Sequence, residues 1–280
     1  MILSFHPCFV GNKNITCAGR QPNDEDLNAI KAATAVILPQ GCTASLYEMA
    51  QSNCPNVFPN YTVRFKFRDK IGQVHLFRET LTPHPVTLTY ENLSAFVADP
   101  NQWPISNRKE YPFVFKFDWG GEGKTVFLIR AYREFESVLE KADRFEKSGQ
   151  SGFLLQEFIP SQNRSLRVVV INEEIITYWR HQPNAENFGT ALSRGAEIDA
   201  GSDPSLQKKA ALLVKDFCQK TEINLAGIDL LYSPQAKSFF FLEINYFFGR
   251  RGLGGSEKYY AFLRKQIRKW LADNGLTIKR

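Results

Sequence analysis

The sequence has few cysteines and histidines and no long apolar run. Its 280 residues include five cysteines and four histidines, and no two cysteines form a C-x-x-C pair. This usage argues against a disulfide framework and against a zinc site. No apolar stretch approaches the roughly 20 residues that a membrane span needs. Met1–Phe5 also lacks the basic start and apolar run of a signal peptide. We therefore expect a soluble, cytoplasmic protein without a membrane partner.

What is present is an ordinary globular composition with a mild basic excess. Lys and Arg number 35 against 29 Asp and Glu, a formal net charge of +6, and 43% of the residues are hydrophobic. A chain of this kind buries a full core and is not disordered. The basic cluster Arg264–Lys269 has no interleaved stacking aromatics, which argues against nucleic-acid binding. The positive charge suits an anionic ligand instead.

The spacing of apolar residues predicts an α+β protein built on mixed sheets. The first 60 residues alternate short strands with helices, which indicates a small α/β lobe. After it a helix over Asp69–Phe77 and the breaking segment Pro83–Pro85 precede another short helix. The later strands are predicted at 113–116, 125–129, 153–158, 166–171, 174–180, 228–231 and 239–244, and long helices at 135–145, from 204 and at 256–273.

A glycine-rich segment, Asp118–Lys124, lies between two predicted strands. Its Gly120, Gly121 and Gly123 would let backbone N–H groups approach a phosphate chain closely. The spacing matches neither a P-loop nor G-x-G-x-x-G, so a plain hairpin turn is the alternative. Lys116 ends the preceding strand, where its ammonium group would reach a phosphate held by this segment or form a surface ion pair.

Two arginines are predicted to share one sheet face. If Asn172-Glu173 is a two-residue turn, Arg167 lies opposite Tyr178 and on the same face as Arg180. Their guanidinium groups repel each other unless an anion or a carboxylate lies between them. Pairing with nearby carboxylates is the alternative to an anion site. The candidate carboxylates are Glu157 and Glu186.

Three oxygen-bearing side chains are predicted on another face. Period-two alternation puts Glu243 and Asn245 on one side of their strand, and Asp229 lies on the neighbouring strand of a hairpin. Oxygen-only ligands suit magnesium. The alternative is a buried carboxylate pair bonded to lysines. A shared face requires an odd-numbered hairpin loop, which predicts the three-residue connection Ser233–Gln235 unless a bulge resets the register.

The order and spacing of these segments resemble the ATP-grasp superfamily, most closely its RimK-like glutamate ligases and glutathione synthetases. The likeness extends over roughly residues 60 to 272. No single motif is specific, but several in the right order over two hundred residues rarely arise by chance. The matching segments are Arg68–Lys70, Pro83–Thr87, Pro112–Lys116, Gly120–Gly123, Gln156–Ile159, Arg167, and Asp229 with Glu243 and Asn245.

This resemblance implies a role for each matching residue. Arg167 corresponds to the arginine of a D-x-R motif near the reacting phosphate, and Arg180 would assist it. Asp229, Glu243 and Asn245 correspond to ligands of Mg²⁺ or Mn²⁺. The nucleotide-binding residues implied in the same way are Lys70, Lys116, Gly120, Gly121, Gly123, Gln156, Glu157, Phe158 and Ile159.

The resemblance also implies a fold and a reaction. The expected architecture is an abbreviated N-terminal α/β lobe (1–62) followed by an ATP-grasp domain (63–280), whose two α+β subdomains (63–155 and 156–280) enclose ATP. The expected reaction is ATP-dependent ligation of a carboxylate to an amine through an acyl phosphate. The substrates would be small-molecule or peptide carboxylates and amines, and the sequence leaves a homodimer open.

Some positions depart from the family pattern. Ser165 replaces the usual aspartate of D-x-R, and Ala191 replaces the asparagine before the R-G-G-A motif. After Asn245 a glycine-flanked segment carries Arg250 and Arg251, which would recognise an anionic group of the acceptor or form a solvated loop. The identity of the substrates therefore does not carry over. A phosphotransferase and an ATP-binding protein without catalysis are the alternative functions.

Overall fold

Three β-sheets follow one another along the chain in the computed structural model, which describes residues 1–17, 19–99, 111–121 and 123–277. The first is parallel and four-stranded, in the order β2-β1-β3-β4. Asn23 begins its first helix with a reciprocal cap: its side chain accepts the Asp26 N–H, and the Asp26 carboxylate accepts the Asn23 N–H. The elements are β1 (Ile2–Ser4), β2 (Lys13–Asn14), α1 (Asp24–Lys31), β3 (Ala35–Ile37), α2 (Ala44–Asn53) and β4 (Val57–Phe58).

The second sheet is antiparallel and four-stranded, in the order β5-β8-β6-β7. Its core is rich in phenylalanine, and Phe115 and Phe153 stack with ring centroids 5.0 Å apart. The strand β5 was not predicted, because it follows directly on Pro85 and only a short helix was expected there. The elements are α3 (Thr62–Lys66), α4 (Asp69–Glu79), β5 (Thr87–Tyr90), α5 (Leu93–Ala98), β6 (Phe113–Phe117), β7 (Val126–Ile129), α6 (Tyr132–Lys147) and β8 (Phe153–Glu157).

The third sheet is antiparallel and five-stranded, in the order β11-β10-β9-β12-β13. A helix packs on each face: Leu166 and Val168 share a core with α7, whereas Val169 and Ile171 share another with α8. The N-terminal lobe contributes apolar residues to both cores. The elements are β9 (Arg164–Ile171), β10 (Glu174–His181), β11 (Glu197–Asp199), α7 (Pro204–Thr221), β12 (Leu225–Ser233), β13 (Ser238–Asn245) and α8 (Ser256–Asp273).

Two predictions about strand pairing have different outcomes. The two-residue turn Asn172-Glu173 is confirmed, because Ile171 pairs with Glu174. The mixed-sheet prediction is wrong, since each sheet in the described part of the chain is wholly parallel or wholly antiparallel. None of the helices described is long and apolar enough to cross a membrane.

The predicted length of the hairpin loop between β12 and β13 is wrong. Ser233 pairs with Ser238, so the loop has four residues (Pro234–Lys237) and not three. The Ser233 hydroxyl accepts the Ala236 N–H, which lets the turn form one residue later than predicted. A bulge at Leu242 then shifts the register and restores Asp229 to its place opposite Glu243.

Candidate active site

A cavity of about 690 Å³ lies between the second and third sheets. All the residues predicted for catalysis, nucleotide binding and metal binding line it except Gly120 and Gly121, and Gly120 borders a neighbouring cavity. The residues brought together from β6, β8, β9, β10, β12 and β13 are far apart in the sequence. The fold therefore gathers the predicted side chains in one place, while the role of each remains a prediction.

A buried carboxylate lies between two arginines at the inner end of this cavity. Asp229 pairs with Arg167 across β12 and β9, and Arg167 Nη2 lies 2.9 Å from Asp229 Oδ2. Arg180 Nη2 lies 2.7 Å from Asp229 Oδ1. Burial opposes ionisation of Asp229, but the two guanidinium groups outweigh it and lower the pKa of this carboxyl. The expected face shared by the two arginines exists, and the carboxylate between them is neither Glu157 nor Glu186.

Both oxygens of Asp229 are surrounded by protein donors. Oδ1 accepts a hydrogen bond from Arg167 Nε and forms an ion pair with Arg180 Nη2, and Oδ2 accepts hydrogen bonds from Arg167 Nη2 and, at 3.1 Å, from Asn245 Nδ2. A metal ion bound to this carboxylate would compete with these contacts.

The other two predicted metal ligands are less constrained. Glu243 is half-buried and lines the cavity directly opposite Asp229, and its side chain forms no hydrogen bond within the described ranges. Because Asn245 turns Nδ2 toward Asp229, its Oδ1 is left for another partner. No three His, Cys, Asp or Glu side chains among the described residues form a metal-binding group. Two carboxylates and an amide on one face nevertheless suit magnesium chemically.

The two predicted lysines differ in their surroundings. Lys116 is buried, and no described residue accepts a hydrogen bond from its ammonium group. Burial lowers the pKa of Lys116 to about 8, opposed by the attraction of Glu243. Lys70 instead donates to the carbonyl oxygens of Asp118, Trp119 and Gly120 at 3.0–3.2 Å. Lys116 thus offers a free cation to the cavity, whereas Lys70 holds the glycine-rich segment.

The glycine-rich segment connects β6 and β7, which form an antiparallel hairpin. Gly120 has φ +82°, and a Cβ at this position would lie 2.5 Å from Thr125 Cγ2, so only glycine fits there. Arg194 Nη1, from the other side of the cavity, donates to the Gly123 carbonyl oxygen at 3.2 Å. Glu122 lies outside the described residues. Phosphate binding by this segment stays a prediction.

The predicted adenine-contacting segment, Gln156–Ile159, starts in the last residues of β8, an inner strand of the second sheet, and lines the cavity. The Gln156 side chain is buried and donates to Thr87 Oγ1 at 2.9 Å, which ties β8 to β5. The Glu157 N–H donates to the Val86 carbonyl oxygen at 2.8 Å. The arrangement leaves the main chain of Phe158 and Ile159 beside the cavity.

Sequence reasoning missed several apolar residues that line the cavity next to the polar ones. Val114 lies two residues before Lys116, Leu154 lies two residues before Gln156, and Leu231 lies two residues after Asp229. In a strand such neighbours share a face. The same alternation that predicted Glu243 and Asn245 as partners would therefore have identified these apolar positions.

Arg250 and Arg251 are not among the described residues that line the cavity, although the preceding Gly249 is. The guanidinium carbon of Arg250 lies 4.4 Å from the ring centroid of Tyr260 and 5.2 Å from that of Tyr259. These are cation–π distances. Its suggested role in acceptor recognition stays a prediction.

The chain matches known proteins in both sequence and fold. The family model described as RimK-like ATP-grasp domain matches residues 75–269. A probable alpha-L-glutamate ligase of Aeromonas salmonicida (strain A449) is 27% identical over 143 residues, which are 51% of this chain and 45% of that protein. The chain thus matches about half the length of this curated relative.

Two solved structures share the ATP-grasp fold with this chain. The RimK domain ATP-grasp protein from Sphaerobacter thermophilus has a TM-score of 0.63 at 16% identity, covering 95% of this chain and 98% of that one. The VanG D-Ala:D-Ser ligase from Enterococcus faecalis has a TM-score of 0.62 at 16% identity, covering 85% and 73%. At this identity the likeness establishes the fold, and the predicted α+β ATP-grasp architecture is confirmed.

Proposed function

The chain belongs to the RimK-like ATP-grasp family, and from this premise we propose that it is an ATP-dependent carboxylate–amine ligase. In the proposed reaction a carboxylate oxygen attacks the γ-phosphorus of ATP, the bond to the β–γ bridging oxygen breaks, and ADP leaves. The amine nitrogen then attacks the acyl carbon of the acyl phosphate, phosphate leaves, and the nitrogen loses a proton. No protein nucleophile is needed, so positioning and charge neutralisation carry the catalysis.

One observation supports this proposal above all: cationic and acidic groups from six strands line a single cavity together with apolar side chains such as Val114, Leu154 and Leu231. Lys116, Arg167 and Arg180 supply positive charge, and Asp229 and Glu243 oppose part of it. A polyphosphate beside an aromatic base matches this division of polar and apolar lining. Relatives named as glutamate ligases favour a small amino acid or a peptide among the substrates.

The nucleotide would be held at both ends. Lys116 donates to no described residue, so we assign it to the phosphates, and Lys70 acts by fixing the glycine-rich segment through its three carbonyl contacts. The main chain of Gln156–Ile159 would contact adenine. Arg167 and Arg180 would steady the transferring phosphoryl group and the acyl phosphate, held in place by Asp229.

Magnesium or manganese fits the donor set of this proposal. Glu243 and Asn245 would provide oxygen ligands, and Asp229 would join them on exchanging one arginine bond. Such an ion would neutralise part of the negative charge of the phosphates. A cytoplasmic location and small-molecule or peptide substrates belong to the same proposal.

The test is ADP release against pooled carboxylates, amino acids, amines and small peptides with ATP and magnesium. Hydroxylamine in place of the amine should yield a hydroxamate, because it traps an activated acyl group. ADP release that depends on an alcohol and requires no carboxylate would indicate a phosphotransferase. ATP binding without turnover in every mixture would indicate a protein that only binds the nucleotide.

A further inference from the structure

A second cavity, of about 420 Å³, lies beside the first, and Lys70 and Glu243 line both. Its walls come from the N-terminal lobe, from the α3–α4 segment, from the glycine-rich segment and from the end of β13. Because Lys70 holds the glycine-rich segment and Glu243 faces the first cavity, the shared wall is at the predicted phosphate end. A molecule in the second cavity would therefore lie next to the reacting groups.

Arg64 is a half-buried cation of this second cavity that is held by several neighbours. Its Nη1 donates to the Gln40 carbonyl oxygen at 2.6 Å, and its guanidinium carbon lies 4.7 Å from the ring centroid of Tyr61 and 4.9 Å from that of Phe65. The Tyr246 ring lies at 5.8 Å. No carboxylate among the described residues forms a salt bridge with it. A guanidinium group that is held in one orientation and has no counter-ion can bind a carboxylate through two hydrogen bonds.

The remaining charges of the second cavity have both signs. Arg68 donates through Nε to the Phe65 carbonyl oxygen at 3.1 Å, and no described residue accepts from its terminal nitrogens. Asp69, Asp118 and Glu243 place carboxylates in the same lining. Guanidinium and carboxylate groups in one cavity match a molecule that carries both a carboxylate and an ammonium group.

We propose that the second cavity binds an amino-acid substrate of the ligation, with a substrate carboxylate on Arg64. The identification of the bound amino acid as a substrate rests on the proposed function, whereas the binding site itself is inferred from its lining residues. Arg68 assists, and Asp69 and Asp118 face the ammonium group. The shared wall of Lys70 and Glu243 keeps the amino acid beside the phosphate end of the nucleotide.

The test compares binding and turnover in matched variants. Arg64→Met keeps most of the stem and removes the fork, and Lys66→Met changes an exposed cation of the same helix, whose ammonium is 3.7 Å from Glu79 Oε2. Calorimetry with L-glutamate, L-lysine and L-alanine measures binding, and ADP release measures KM for any of them that turns over. We expect Arg64→Met to weaken amino-acid binding at least tenfold with ATP affinity within twofold, and Lys66→Met to change neither.

Unchanged amino-acid affinity in Arg64→Met, with normal ATP binding, would overturn this assignment, as would a wild-type protein that binds none of the three probes. If Arg64→Met does not fold, Arg64→Lys serves instead, since it keeps the charge and loses the fork, and an affinity equal to wild type again counts against the site. Binding of an amino acid without any ADP release in the pooled mixtures of carboxylates and amines would refute the ligase proposal and leave the site intact. Turnover with an unaltered KM in Arg64→Met would support the ligase proposal and refute the amino-acid site.

Discussion

Arg167 and Asp229 occupy paired positions on neighbouring antiparallel strands, and the guanidinium meets the carboxylate with two nitrogens on two oxygens. Arg180 approaches the same carboxylate from the next strand. The three charges sum to +1, and Lys116 adds another positive charge to the same cavity. Removing the central carboxylate would leave the buried Arg167 and the half-buried Arg180 uncompensated, a loss of about 3–5 kcal/mol. The pair therefore both preserves the fold and keeps the arginines oriented.

Gly227→Ala should displace Arg167. A Cβ at this position would lie 2.9 Å from Arg167 Nη1 and 3.1 Å from Phe248 Cβ, so the guanidinium must move. We expect ADP release to fall roughly 10- to 100-fold, since a misplacement of this size disrupts the reacting geometry, while ATP affinity changes little. Gly201→Ala is the matched control, because its Cβ would meet only Asp199 Oδ1 at 3.8 Å. Equal turnover in the two variants would contradict the role of Arg167.

Lys116→Met should change stability and ATP affinity in opposite directions. The side chain is buried and its ammonium group donates to no described residue, so its removal should raise the free energy of unfolding at pH 7 by roughly 1–3 kcal/mol. ATP affinity should fall by roughly 1.5–3 kcal/mol, the scale of a hydrogen bond to a charged group. Denaturant unfolding and calorimetry measure the two quantities. A loss of stability together with unchanged ATP affinity would show that Lys116 is structural.

The ATP affinity of the wild-type protein should fall as pH rises above about 8. Burial lowers the pKa of Lys116 to about 8 in the free protein, and a bound phosphate would favour the charged form and raise this pKa. Below pH 8 the lysine is charged in both states, so the affinity is constant; above it binding requires proton uptake. The dissociation constant should rise by up to about tenfold per pH unit. In Lys116→Met this rise should vanish, and a persisting rise would assign it to another group.

Glu243→Gln should abolish most metal-dependent turnover. The change keeps the shape of the side chain and removes the charge that faces the cavity opposite Asp229. ADP release should fall roughly 100- to 1,000-fold, the scale of one lost electrostatic group, and Mn²⁺ binding measured by electron paramagnetic resonance should weaken. Thermal unfolding should stay near wild type. Glu136→Gln, an exposed change on α6, is the control, and wild-type Mn²⁺ binding in Glu243→Gln would refute the metal role.

Arg194→Ala should loosen the glycine-rich segment. Arg194 Nη1 donates to the Gly123 carbonyl oxygen from across the cavity, and one such bond contributes about 0.5–1.5 kcal/mol. Backbone hydrogen exchange around Gly120 and Gly123 should therefore accelerate severalfold, and ATP should slow it again in the wild-type protein. Arg133→Ala, an exposed change on α6, tests for a nonspecific charge effect. Identical exchange in both variants would show that the contact does not hold the segment.

Local periodicity was enough to predict which side chains share a face. Strand alternation placed Glu243 beside Asn245, and the two-residue turn Asn172-Glu173 placed Arg167 opposite Tyr178. These inferences depend only on the period of two in an extended chain and on the parity of a turn. The ATP-grasp fold was also predictable, because the order and spacing of its segments lie in the sequence.

The sequence by itself determined the strand faces and the order of the segments, and the tertiary structure decided the partners of each charge. Only the folded chain shows that Asp229 lies between two arginines, that Lys70 contacts three carbonyl oxygens, and that a bulge at Leu242 offsets a longer hairpin loop. The face on which a side chain lies follows from local backbone geometry. The groups that a charged side chain contacts follow from strand register, burial and the packing of distant strands, which no local pattern contains.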